Sequence, residues 1–290
     1  MNNISTPSLG HFIRVPSGRF TMGNSRSYKS LFGKNLIERP QARKTHLVEI
    51  TKDIIVLETP VTNKMFQTYT KDHLGLLKEI QFSFIANKRD FSEFYFKNKQ
   101  EKLIKDKIIW QSRKLLNVIN KAENSNFPVV GVGYLECLNY CAWLSNKLKC
   151  KVRMLTEAEW EYCARAGTNT IFHWGDKIAP ADKFAWFFDN SELKIKTVKQ
   201  LRPNDWGFYD IAGNVWEWCQ DKYSQQFYKY SDKTNPISTH GNCKKYAIRG
   251  GSALNKAETT RASHRFGLPP QVRNEFLGFR IVIERPLCGY

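Results

Sequence analysis

The sequence predicts an α+β fold: one domain with much irregular backbone and a basic helical insertion. Three observations predict it. Short runs that alternate apolar and polar residues extend to Glu58, two compact helical patterns follow residue 127, and beyond Gly167 the chain is rich in Trp, Gly, Asn and Pro without long periodic runs. The 290 residues admit one large domain or two small ones. Composition favours one, because 41% hydrophobic residues, with eight Trp and nineteen Phe, supply a sizeable ring-rich core. No internal repeat or low-complexity tract points to a solenoid or a linker.

Taken in order, Phe12 to Gly23 alternates around Pro16-Ser17-Gly18 and reads as a β-hairpin. His46 to Ile50 and Ile54 to Glu58 read as paired strands, and Pro60-Val61-Thr62 starts a helix that carries Phe66 and Tyr69 on one side. Residues 75–126 differ in kind. Between Lys97 and Lys121 stand eight basic residues, among them Lys102, Lys105, Lys107, Arg113 and Lys114, against Glu101 and Asp106. Leu103, Ile104, Ile108, Trp110, Leu115 and Ile119 fall near helical spacing, so a basic amphipathic helix or helix pair is expected there. Those lysines and the arginine would suit nucleic acid or an acidic partner; a solvated helical face is the simpler reading of them. Past Pro128, a helix carries the stripe Cys137, Cys141, Leu144 and Leu148. Thr156-Glu157-Ala158-Glu159 is a capping box that opens a second helix, with Trp160, Cys163 and Ala164 inward and Gly167 as its left-handed stop.

The N-terminal segment Met1 to Gly10 is polar, without the apolar stretch of a secretion signal, and nowhere do about 18 apolar residues run together. A cytoplasmic protein without a membrane anchor is therefore expected. Seven scattered cysteines, Cys137, Cys141, Cys150, Cys163, Cys219, Cys243 and Cys288, lack the spacing of a zinc site or a disulfide framework and read as mostly buried thiols. The formal net charge of +18 permits attraction to nucleic acid or acidic partners, but a lysine-biased genome yields the same excess.

Seven word-like stretches occur in order: Val15 to Gly23, Glu58 to Asn63, Phe127 to Val132, Leu155 to Tyr162, Gly207 to Trp218, Arg249-Gly250-Gly251-Ser252 and Leu277-Gly278-Phe279-Arg280. Together they resemble the formylglycine-generating enzyme, or sulfatase-modifying factor, family over residues 11–285, with residues 75–126 as an insertion. The resemblance implies a C-type-lectin-like architecture with a twisted antiparallel sheet at its centre. It also implies a calcium site from oxygens of Asp210, Gly213, Val215 and Glu217, hard ligands that suit this cation. The alternative is that Glu217, between Trp216 and Trp218, pairs with an arginine or with backbone amides.

The oxidases of this family resemble one another in two cysteines that bind copper(I), one three residues after the serine of Arg-Gly-Gly-Ser and one five further on. Here those positions are Asn255 and Thr260, and no cysteine occurs from Lys244 to Leu287. Copper(I) requires soft sulfur ligands, so copper is not expected and no catalytic residue is assigned. Phe276 stands where the family's cleft usually has Asn. The six histidines are not spaced as the iron ligands of related branches, and His264 is read first as structural. Gly-x-Ser-x-Gly, Walker and His-Glu-x-x-His signatures are absent.

The expectation is thus a non-catalytic member, a pseudoenzyme, that binds a protein or peptide. Its cleft would comprise the loop Ser252 to Arg265 with Trp186, Trp206 and Phe276, and so Ser252, Asn255, His264 and Arg265 as ligand-facing residues. Two alternatives remain: an oxygen-dependent oxidoreductase of altered chemistry, and a basic accessory protein that contacts nucleic acid through the insertion.

Overall fold

A computed structural model describes residues 9–24, 45–72, 125–239 and 244–284, together with the backbone of the short strands β1 (Ile4–Thr6), β4 (Ser27–Lys29) and β5 (Asn35–Ile37). The insertion residues Lys102, Lys105, Lys107, Arg113 and Lys114 lie outside the described residues, as do Cys243 and Cys288.

The N-terminal strands form where the sequence places them, but they choose other partners. β2 (Gly10–Val15) pairs antiparallel with β7 (Ile54–Leu57), while β3 (Gly18–Met22) pairs antiparallel with β6 (His46–Ile50). The expected hairpin at Pro16-Ser17 and the expected pairing of β6 with β7 are therefore corrected. Both chain reversals are corners in one long bent ribbon, whose register runs from Phe12 opposite Leu57 to Met22 opposite His46. Asp53 fastens the corner, accepting from the Ser17 amide at 2.9 Å and from two Arg14 nitrogens at 2.6 and 2.9 Å.

β1, β2, β7, β13 (Ile281–Ile283) and β8 (Val152–Met154) form a five-stranded antiparallel sheet in that order. A second sheet has the order β11 (Arg265–Leu268), β10 (Tyr246–Arg249), β9 (Trp216–Lys222), β12 (Leu277–Phe279), and only β12 runs parallel to its neighbour. Side chains that alternate along a strand feed opposite faces. Phe12, Leu57, Ile281 and Trp218 join one apolar cluster, beneath helices α1 (Asn63–Asp72) and α2 (Tyr134–Leu148). Ile13, Val56, Val282 and Cys219 join the other, beneath α3 (Glu157–Arg165). Each large side chain so enclosed contributes about 1.5–3 kcal/mol.

The helices follow their sequence signals closely. Phe66 and Tyr69 of α1 are buried, and so are Cys137, Cys141 and Leu144 of α2. In α3 the Thr156 hydroxyl accepts from the Glu159 amide at 3.1 Å while the Glu159 carboxylate accepts from the Thr156 amide at 2.9 Å. The left-handed stop begins one residue earlier than expected. Ala166 (φ 48°) donates to the Tyr162 carbonyl, and Gly167 (φ 88°) follows.

Candidate functional site

The loop that carries the cysteine positions leaves β10 through Gly250 and Gly251, both in the left-handed region at φ 99° and 74°. A side chain on Gly251 would meet the Thr259 hydroxyl at 2.8 Å, so only glycine lets the loop fold back on itself. Gly213 (φ 78°) performs the same service for the neighbouring turn: its amide donates to the Gly250 carbonyl, and a Cβ there would lie 2.2 Å from the Trp186 carbonyl oxygen. The segments 186–191, 213–216 and 252–256 are thereby brought together.

Trp216, which the sequence shows only as a neighbour of Glu217, is the hub of this cluster. Its indole N–H donates to Asn255 Oδ1 at 2.8 Å, and the same oxygen accepts from the Ser252 hydroxyl at 2.8 Å. The His264 ring centre is 5.6 Å from the Trp216 ring, and the Trp216 amide donates to the Phe276 carbonyl at 2.8 Å. His264 Nδ1 lies 3.0 Å from an Arg261 guanidinium nitrogen, which can only donate, so Nδ1 accepts. Trp186 joins through its carbonyl, which accepts from the Asn214 amide; the Lys196 ammonium stands 5.4 Å from its ring centre. Ser252, Asn255, His264, Phe276 and Trp186 are thus brought into one region.

Two other expected members lie elsewhere. Trp206 packs edge-on against Tyr162, 4.9 Å between ring centres, beneath α3. Arg265 is a core residue: it forms an ion pair with Glu157, donates to the Ser224 carbonyl at 2.8 Å and lies between the Tyr223 and Tyr228 rings. Both placements have one cause. A ring or a guanidinium near a motif looks available in the sequence, whereas its partner, distant along the chain, makes it structural.

The same holds for Glu217, which is 1% exposed. Its carboxylate accepts from Arg280 at 2.8, 3.1 and 3.2 Å and from the Trp160 indole at 2.8 Å. Asp210 accepts from the Lys199 amide at 2.9 Å and from Asn214 Nδ2 at 3.1 Å, and burial pushes its pKa up to about 6. Of the four residues considered for calcium, Asp210, Gly213, Val215 and Glu217, the last makes the arginine pairing given above as the alternative reading. Among the described residues no group of three or more His, Cys, Asp or Glu is disposed to hold a metal.

The cysteine positions hold no sulfur. Asn255 is engaged as above, and Thr260, 3% exposed, donates its hydroxyl to the Ala257 carbonyl at 2.7 Å. The buried cysteines lie in the core: Cys137 and Cys141 in α2, Cys163 in α3 and Cys219 in β9. Burial raises all four thiol pKa values, Cys141 to about 12, so they stay protonated and poor as metal ligands.

Comparison with known proteins now decides the family. A family model for the Sulfatase-modifying factor enzyme 1-like domain matches residues 2–285. The chain belongs to this family. The formylglycine-generating enzyme of Streptomyces coelicolor is 33% identical over 179 residues, covering 57% of this chain and 55% of that enzyme. The match therefore spans about half the length of that relative. The protein named inactive C-alpha-formylglycine-generating enzyme 2 from Bos taurus is 25% identical over 295 residues, 93% of this chain and 87% of its own. PvdO from Pseudomonas aeruginosa shares the fold, with a TM-score of 0.73 at 22% identity over 98% of each chain. The sulfatase-modifying-factor-like fold is thus present over nearly the whole chain, and among the described residues no helix is long and apolar enough to cross a membrane.

Proposed function

We propose that this family member is non-catalytic in copper-dependent thiol oxidation and uses the region around the Ser252 to Arg265 loop to bind a protein or peptide segment. The observation that carries the proposal is Asn255: the position of a family cysteine holds an amide whose oxygen closes a bridge between the Ser252 hydroxyl and the Trp216 indole. Neither this side chain nor Thr260 can supply a thiolate, and copper(I) chemistry depends on soft ligands. The relative named inactive supports the first half of the reading.

The exposed rim supports the second half. Phe188, Leu193 and Leu254 are 44, 50 and 42% exposed. They lie on segments laced together, since the Phe188 amide donates to the Asn255 carbonyl and the Ser191 hydroxyl to the Ala253 carbonyl. Glu192 and Leu193 are consecutive left-handed residues at φ 56° and 58°, a conformation that costs roughly 1–2 kcal/mol for each. Three exposed apolar side chains, one of them on strained backbone, beside the half-buried rings of Trp186 and Trp216 suit recognition of an apolar peptide segment.

A displayed library of random twelve-residue peptides tests the proposal. Sequences enriched on the wild-type protein should lose binding at least tenfold to Leu254→Asp, whose exposed position leaves folding intact. Failure to enrich any sequence, or oxygen consumption by the protein with a cysteine-containing peptide and copper, would overturn the reading.

A further inference from the structure

We propose that the end of the β9–β10 ribbon is a docking surface for single-stranded nucleic acid. The inference is independent of the loop reading and of the insertion lysines. β9 ends at Lys222, which lies opposite Tyr246 at the start of β10, and the Tyr223 amide donates to the Lys245 carbonyl at 2.9 Å. Lys222, Lys244 and Lys245 therefore stand at the same end of the ribbon. The chain then folds back through the 3-10 turn Phe227–Lys229, and the Tyr230 hydroxyl meets the Ser224 hydroxyl at 3.2 Å, which returns Lys229 and Tyr230 to the strand end.

Charge here is one-sided. Residues 222–246 contain five lysines, Lys222, Lys229, Lys233, Lys244 and Lys245, and one acid, Asp232. Asp221, just before them, turns inward and accepts from the Glu157 and Ser238 amides at 2.8 Å each. Among the described residues Lys222, Lys229, Lys233 and Lys245 form no ion pair, in contrast to Lys147, Lys151, Lys199 and Lys256, each of which has a carboxylate partner. Ammonium groups without carboxylate partners on one short stretch of chain repel one another, and phosphates relieve that repulsion while releasing counterions.

Tyr230 supplies what a purely electrostatic patch lacks. It is 65% exposed, with its edge steadied by Phe227 at 6.3 Å between ring centres and by Ser224. An open aromatic ring flanked by lysines is the combination that holds an unpaired base by stacking and its flanking phosphates by charge. A duplex, whose bases are already stacked, offers that ring nothing, so a single strand is the occupant.

Fluorescence anisotropy with a labelled twenty-residue oligo(dT) tests this on the full chain. Binding is expected to weaken at least tenfold between 50 and 200 mM salt. It should fall about tenfold in Tyr230→Ala and more in Lys229→Glu/Lys233→Glu/Lys245→Glu, while Lys177→Glu/Lys183→Glu, at two exposed positions elsewhere in the chain, binds as wild type. Unchanged circular dichroism and melting confirm that the variants fold. Wild-type affinity in the triple lysine variant would overturn the proposal, because any binding would then belong to other lysines. So would equal competition by polyglutamate, which would assign the patch to acidic protein.

Discussion

The interior beneath α3 and the loop after β10, which meet in the chain only at Arg249 and Arg265, answer opposite demands. Beneath α3, Glu161 accepts from Arg165 at 2.7 and 2.9 Å and from Arg249 at 2.5 Å, Glu157 pairs with Arg265, and Glu217 pairs with Arg280; every one of these side chains is almost wholly buried. Each charge there is tolerable only because its partner is present. In the loop, Asn255 and Thr260 are neutral: Asn255 accepts from the Ser252 hydroxyl and the Trp216 indole, and Thr260 donates to the Ala257 carbonyl. The scaffold that positions the loop is thus rigidly specified, while the chemistry at its centre is not. A protein can lose the thiolates of this loop without losing the fold.

Substitutions in the two regions should separate sharply. Arg249→Met leaves Glu161 with a single guanidinium and removes three donors to the carbonyls of Ala262, Ser263 and His264, so a loss of about 3–5 kcal/mol is expected in urea unfolding. A loss below about 1 kcal/mol would show that the buried network is slack and erase the contrast.

Next in size is a dependence on pH. Burial, then the nearby Glu157, raises the Asp221 pKa above the ordinary range. The folded state therefore holds this proton more tightly than the unfolded chain, and stability from this group falls as pH rises from about 4 through the raised pKa, by about 1.4 kcal/mol for each unit of the shift. Glu161 acts oppositely: although burial works against it, Arg165 and Arg249 hold its pKa low, so its contribution is lost as pH falls. The stability of wild type minus that of Asp221→Asn, followed by urea midpoints from pH 4 to 8, should decline with rising pH. A flat difference would refute the assignment.

Asn255→Ala should cost about 1 kcal/mol, since it orphans the half-buried Trp216 indole N–H, with the change visible in tryptophan fluorescence. A cost above about 3 kcal/mol would place the loop in the same class as the core. Smallest of all, millimolar calcium against a chelator should move the melting temperature by less than about 1 °C, because Arg280 already neutralises Glu217.

Local signals carried much of this into the sequence. The capping box of Thr156 and Glu159, the stripe of α2 and the family words were legible because each acts within a few residues. Strand partners were not: β2 and β3 alternate as a hairpin would, yet the corner at Pro16-Ser17 hands them to β7 and β6, a choice made by distant residues such as Asp53. Arg265 looked exposed beside His264 because its partner, Glu157, is 108 positions away. Trp216 was overlooked as the hub because its role rests on Asn255, across the sheet and 39 positions on.

Positions 255 and 260 lack sulfur, and anaerobic titration with copper(I) shows what that absence does. Wild type, challenged by a competing chelator, should retain no stoichiometric copper, whereas Asn255→Cys/Thr260→Cys, with the same loop path, should retain one ion for each chain. One tightly held copper(I) in the wild type, lost on replacing no more than Cys243 and Cys288, would contradict the account.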